Sequence, residues 1–150
     1  MRKGLIYGIL LVVALIIPTN DVELGKMKPV ETVSVRKEEG NVIVETDTED
    51  SGIGLTLEDA LRDLKETTAG SIYLDTATYL IIDQDCLELI PKLYHSLKPN
   101  VRVCRRQGDV DIKTVGEFLG EHTPEIKLKD WKVGEKLQVL EGENGRMKLT

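Results

Sequence analysis

TLEDALRDLKETTAGSIYLDTATYLIIDQD, residues Thr56 to Asp85, decides how the rest of the chain is arranged. Thr56-x-x-Asp59 has the spacing of a capping box, with Asp where Glu is more usual, so a helix is expected to begin at Thr56. Leu57, Ala60, Leu61 and Leu64 then fall at i, i+3, i+4 and i+7 on one apolar stripe, while Glu58, Arg62, Asp63 and Lys65 lie mainly away from it. Gly70 suits the left-handed position that follows a helix end. SIYLD alternates, and YLIID is continuously apolar up to its aspartate, which is the pattern of a strand covered on both faces. A capped helix feeding a buried strand is the unit of an α/β fold.

Upstream, Val33 and Val35 alternate with polar residues, as do Val42 and Val44, and Gly40-Asn41 between them offers a turn, so a β-hairpin is expected. TDTEDSGIG crowds Asp47, Glu49 and Asp50 together, but without the glycine and distal glutamate of a calcium loop it reads as a solvated loop. Residues 21–29, DVELGKMKP, have no period and read as a linker, which puts the domain at residues 30–150. Before the linker, Arg2 and Lys3 precede an uncharged, mainly aliphatic run from Gly4 to Ile17. As a helix that run is about 21 Å long, shorter than a hydrocarbon core of about 30 Å and within the range of a signal-peptide core. Residues 1–20 are therefore expected to be a signal peptide or an uncleaved membrane anchor, with the body extracytoplasmic. No small-x-small cleavage site follows the run, and no cysteine follows it to take a lipid.

Downstream of Asp83, Cys86, Ile90, Leu93 and Leu97 share a helical face that Pro91 interrupts, which predicts a kink or two short helices. VRVCR reads as a strand, and IKTVGEFLGEH as a helix capped by Asp111 with Ile112, Val115, Phe118 and Leu119 inward. EIKLKDW reads as a strand or short helix, and the closing GEKLQVLEGENGRMKLT as a hairpin around Asn144-Gly145. The expected fold is α/β: a small mixed β-sheet with about three packing helices, in the order β-β-α-β-α-β-α-β, after an N-terminal hydrophobic helix.

A chain of 150 residues with 41% apolar content can fill one modest core, and with one Trp and one Phe that core must be largely aliphatic. The formal charge of −6 becomes more negative once Arg2 and Lys3 are set aside, which argues against nucleic-acid binding. Cys86 and Cys104 are the only cysteines, and in an exported chain they are a candidate disulfide, with burial as two separate free thiols the alternative. Asp75, in the Asp-Thr-Ala-Thr bend, is a candidate catalytic carboxylate with Asp83 or Asp85 as its companion. The glycine of aspartic proteases and the second aspartate of haloacid-dehalogenase-like enzymes are both replaced there by Ala77. No cofactor motif or metal-ligand spacing is present, and His95 and His122 stand alone. Arg102, Arg105 and Arg106 read as an exposed strand edge kept soluble by charge, with reception of an acidic partner the sharper alternative.

Val30 to Val103 resembles the N-terminal domain of the spore germination receptor C-subunit family, Ger(x)C. What is similar is a β pair, then the glycine-led helix GLTLEDAL, then the apolar strand YLIID and a following helix. This chain departs from the family in its length and in lacking the lipobox cysteine. The order of elements is also similar to that of STAS domains, with Asp75 and Asp83 where two acids bracket the strand-to-helix passage. The phosphorylatable serine of that family is absent from Asp83-Gln84-Asp85-Cys86-Leu87. The first resemblance implies an envelope protein and the second a regulatory domain. Together with the leader, these readings lead us to expect a membrane-tethered or secreted, non-enzymatic interaction domain with a protein partner in the spore germination or cell-envelope apparatus. The alternatives are an Asp75-dependent hydrolase and a STAS-like regulator.

Overall fold

Tyr79–Ile82 is the centre of the molecule, and all four of its residues are buried. The computed structural model describes residues 27–150. The expected leader at residues 1–20, its hydrophobic helix and the first part of the linker lie outside the described residues. In chain order the elements are β1 (Met27–Pro29), β2 (Thr32–Glu38), β3 (Asn41–Thr46), β4 (Ser51–Gly54), α1 (Leu57–Thr67), β5 (Ser71–Tyr73), β6 (Tyr79–Ile82), α2 (Ile90–Leu93), β7 (Arg102–Gly108), α3 (Val115–Glu121), β8 (Val139–Glu143) and β9 (Arg146–Leu149). The fold is mixed α/β, with a seven-stranded sheet in the order β4-β3-β2-β6-β7-β8-β9. Its centre, β2-β6-β7-β8, is parallel, and antiparallel strands flank it on both sides.

Strand alternation divides the core into two. Val33, Val35, Leu80, Ile82 and Val103 face a larger layer with Leu57, Leu64, Ile90 and Leu93 from α1 and α2. Tyr79, Ile81, Cys104 and Leu140 face a smaller one with Val115 and Leu119 of α3. This is why YLII carries no polar residue: each side of β6 meets a helix. The chain from β6 leaves toward the α2 face, and the chain from β7 leaves toward the α3 face.

Local signals set most boundaries. The Thr56 hydroxyl accepts from the Asp59 N–H at 3.2 Å and caps α1. Pro91 splits the segment after Asp83 into a 3-10 stretch, Gln84–Leu89, and the one-turn α2, where proline at the start costs no hydrogen bond. Glu39 and Gly40 take the positive φ values of the first hairpin turn, one residue earlier than the sequence implied. Asn144 and Gly145 do the same between β8 and β9.

Several expectations are corrected. Met27–Pro29, assigned to the linker, forms a strand that pairs in parallel with β5. The acidic stretch after β3 holds the fold together: Asp47 Oδ1 accepts from the Glu31 and Thr32 N–H groups at 3.1 and 3.2 Å, and Asp50 pairs with Lys28 at 3.3 Å. SGIG, read as the end of a loop, is strand β4. The bend at Asp75 is a 3-10 turn over Leu74–Thr76, anchored by the Thr76 hydroxyl, which accepts from the Val30 N–H at 2.8 Å. The candidate Cys86–Cys104 disulfide is not present in this structure. Both thiols are free, Cys86 in the larger core and Cys104 in the smaller one, with the sheet between them. Gly116 lies against the start of β2, where a Cβ would stand 2.8 Å from Glu31 Oε2 and 3.3 Å from Thr32 Oγ1.

Candidate functional site

The carboxyl ends of β2, β6 and β7 border a crevice in the described surface. Open parallel sheets bind ligands there, in the crevice left where neighbouring connections depart to opposite faces. In this molecule the departures after β6 and β7 diverge in that way.

On the α3 face the crevice is built from alternation. Thr32, Ser34 and Arg36 share one face of β2, and Tyr79, Ile81 and Asp83 continue it on the β6 line, because Asp83 is still extended and its N–H donates to the Val35 carbonyl at 3.0 Å. Cys104 and Arg106 follow on β7. Glu45 of β3, opposite Ser34, reaches Arg36 on the diagonal, so that charge alternates across four strands: Glu45, Arg36, Asp83, Arg106. Arg36 binds the Glu45 carboxylate through Nη2 at 3.0 Å and through Nε at 3.4 Å, and also pairs with Glu38. The Glu45 hydrogen bond, and then Glu38, hold its guanidinium protonated well above the ordinary arginine range, against the effect of burial. Asp83 and Arg106 are not so paired. Asp83 Oδ1 and Arg106 Nη1 are both buried without a protein hydrogen-bond partner among the described residues. Burial raises the Asp83 pKa, opposed by Arg106 and Arg36 and reinforced by Asp85 and Glu45. Unsatisfied charged atoms of opposite sign in one row are a cost that folds usually carry only where a site needs it.

That shift has a sign that can be tested. The folded-state pKa of Asp83 lies above its unfolded value of 3.8, so its contribution to stability is fully present below that value and is lost as pH rises through the folded pKa. Urea midpoints of the wild type and Asp83→Asn, measured from about pH 3 to about pH 7, should show the gap moving in favour of the asparagine variant as pH rises. A gap that stays constant or moves the other way would remove Asp83 from this account.

On the α2 face the crevice widens into a cleft of about 1060 Å³. Leu87, Pro91, Trp131, Val133, Leu137 and Val139 are among its lining residues. Trp131 is fixed by its indole N–H, which donates to the Glu135 carbonyl at 3.3 Å, and by its carbonyl, which accepts from the Tyr94 hydroxyl at 3.5 Å. Lys132 to Glu135 is a turn with Gly134 at φ 88°, and it holds Val133 out at 86% exposure on the rim. Charges lining the cleft balance, with Lys37, Arg105 and Lys136 against Asp85, Glu88 and Glu135; Lys37 pairs with Glu88 at 2.6 Å, and Arg105 Nη1 donates to the neutral amide oxygen Gln84 Oε1 at 2.8 Å. The Glu88 hydrogen bond raises the Lys37 pKa, and Lys37 lowers that of Glu88.

Of the residues singled out from sequence, Asp83 and Asp85 line this crevice and Asp75 does not. Asp75 is exposed at the opposite end of β6, a strand whose four residues alone span about 13 Å, so the Asp75 pairing with Asp83 or Asp85 is not assembled. The arginine cluster is also redistributed. β7 is an interior strand, not an edge: Arg102 donates to the Pro124 and Glu125 carbonyls at 3.2 and 2.9 Å, and Arg105 and Arg106 point to opposite faces. Sequence reasoning missed Arg36, Trp131 and Val133 as site residues. The only local signal was Trp131 and Gly134 within a few residues of each other.

No family model, curated protein or solved structure matches the chain. The functional reading therefore rests on the sequence, the crevice and its chemistry. Among the described residues no helix is long and apolar enough to cross a membrane.

Proposed function

We propose that this chain is a membrane-tethered or secreted, non-enzymatic interaction domain that takes a protein partner in the cleft beside Trp131. The exposed Val133 rim over an apolar, charge-matched cleft carries this reading. Matched charges leave little net field to attract an ionic small molecule, while apolar walls and an outward valine suit an apolar side chain of a partner. The basic and apolar start of the sequence supports an extracytoplasmic location, and the resemblance to germination receptor C-subunits supports the envelope or spore germination apparatus as the setting.

A photo-crosslinking residue in place of Val133 tests this in intact cells. The expected result is one discrete adduct that is lost when Trp131→Ala is added, on a body that external protease digests. A body protected until the cells are lysed would overturn the location, and no adduct, or one insensitive to Trp131→Ala, would overturn the cleft.

Asp83 favours a second reading, a hydrolase centred on Asp83 with Asp85 in place of Asp75. Asp83→Asn separates the two: an interaction domain keeps its adduct and has no turnover to lose, whereas an enzyme keeps binding and loses turnover.

A further inference from the structure

The two edges of the seven-stranded sheet are treated differently. At β4 the edge is covered by α1: the Ile53 N–H donates to Asp63 Oδ2 at 2.8 Å, and the Thr67 hydroxyl donates to the Ser51 carbonyl at 3.5 Å. β9 ends the sheet on the other side, with no further strand beyond it among the described residues.

The β8–β9 ladder identifies which β9 groups face outward. Val139 and Thr150 exchange both backbone hydrogen bonds, at 2.8 and 3.0 Å, so they are a hydrogen-bonded pair. Antiparallel pairing alternates, so Glu141–Lys148 and Glu143–Arg146 are also hydrogen-bonded pairs, and Leu140–Leu149 and Gly142–Met147 are not. The N–H and C=O groups of Met147 and Leu149 therefore point away from β8. The side chains of the same two residues lie half-buried beside Phe118 and Ile112 on the α3 face, a shelf that α3 covers only in part. On the opposite face, the acids Glu141 and Glu143 of β8 stand across from the bases Lys148 and Arg146 of β9.

We infer that β9 is a strand-addition site for an extended segment of another protein with alternating apolar and acidic residues. The outward groups of Met147 and Leu149 supply its main-chain hydrogen bonds, and the shelf beside Phe118 takes its apolar side chains. The occupant's acids follow from charge. Glutamates next to Lys148 and Arg146 continue the acid, base, acid ladder that β8 and β9 begin. A second copy of this chain fits worse, because antiparallel pairing of two β9 strands about Lys148 sets the two lysines directly opposite each other. This surface is separate from the cleft beside Trp131, and neither depends on the other.

Two blocked peptides, acetyl-TVEVEVT-amide and acetyl-TVKVKVT-amide, titrated into the isotope-labelled protein test this by amide chemical shifts. The glutamate peptide should shift the Met147 and Leu149 amides, and the lysine peptide should bind at least about tenfold more weakly. Leu149→Pro removes one outward N–H and leaves the β8 ladder intact, since proline is tolerated where the N–H faces solvent; it should weaken the glutamate peptide by about tenfold or more. Lys148→Glu should move the preference toward the lysine peptide. The inference is overturned if the two peptides bind the wild type equally, if neither shifts these amides at millimolar concentration, or if Lys148→Glu leaves the preference unchanged. It is also overturned if the chain dimerises with the same amides protected from exchange, which would make the occupant a second copy.

Discussion

Gly52→Ala should unfold the domain or leave it only marginally stable. A Cβ at Gly52 would stand 2.1 Å from the Ala60 carbonyl oxygen, 2.4 Å from the Leu64 nitrogen and 2.7 Å from Leu64 Cβ. The first two are backbone atoms of α1 and the third is fixed to that backbone, so no side-chain rotation relieves the clash. α1 would have to lift off β4, taking Leu57, Ala60 and Leu64 out of the larger core. Overpacking typically costs about 1–3 kcal/mol where neighbours can adjust; with backbone on both sides the loss here should exceed about 3 kcal/mol. That is a large share of the about 5–15 kcal/mol available to a domain of this kind. Gly54 makes a second notch, with a Cβ position 2.5 Å from the Ala60 nitrogen. Gly40→Ala is the control. Its φ of +82° makes alanine unfavourable, but nothing lies within 4 Å, so the loss should be nearer about 1 kcal/mol. Urea unfolding followed by circular dichroism measures both. Equal losses at positions 52 and 40 would show that α1 does not sit on β4 as described.

The second large effect concerns the thiols. Burial pushes the Cys104 pKa up to about 12, and burial together with Asp83 pushes Cys86 up to about 11, from an ordinary 9.0. The thiolate is the nucleophile and both thiols are fully buried, so native-state alkylation at about pH 8 should be slower than in denaturant by at least about a hundredfold at Cys86 and about a thousandfold at Cys104. Denaturant without reductant should expose both cysteines, and intact mass should then show two adducts. A denatured, unreduced protein that takes up no label would instead reveal a disulfide, and the separation of the two cores would be wrong. Buried on opposite sides of the sheet, the two thiols are out of reach of each other.

How much was legible in the sequence depended on the range of the interaction that decides each feature. The Thr56 cap, the Leu57 to Leu64 stripe, the buried YLII strand, the break at Pro91 and the Asn144-Gly145 turn are all set within a few residues, and each is found where the sequence put it. β4 was not legible because its signal is a pair of glycines, which reads as a loop until a helix is seen to need the space. Met27–Pro29 was missed for a similar reason: three residues without a period gain their pairing only from β5, more than 40 residues away.

The site is further from the sequence than the fold. Arg36, Glu45, Asp83 and Arg106 are spread over 71 positions, and only the register of β3, β2, β6 and β7 sets them beside one another on one face. Asp75, at the other end of β6, shows the same thing in reverse: two acids eight positions apart are separated by the strand between them. What the sequence determined by itself was the helix-to-strand unit from Thr56 to Asp85, because caps, periodicity and turn residues act locally. Tertiary structure alone decided which charges meet, which thiols part and which sheet edge stays open, because each depends on strand order and register, which are fixed by how apolar faces are covered.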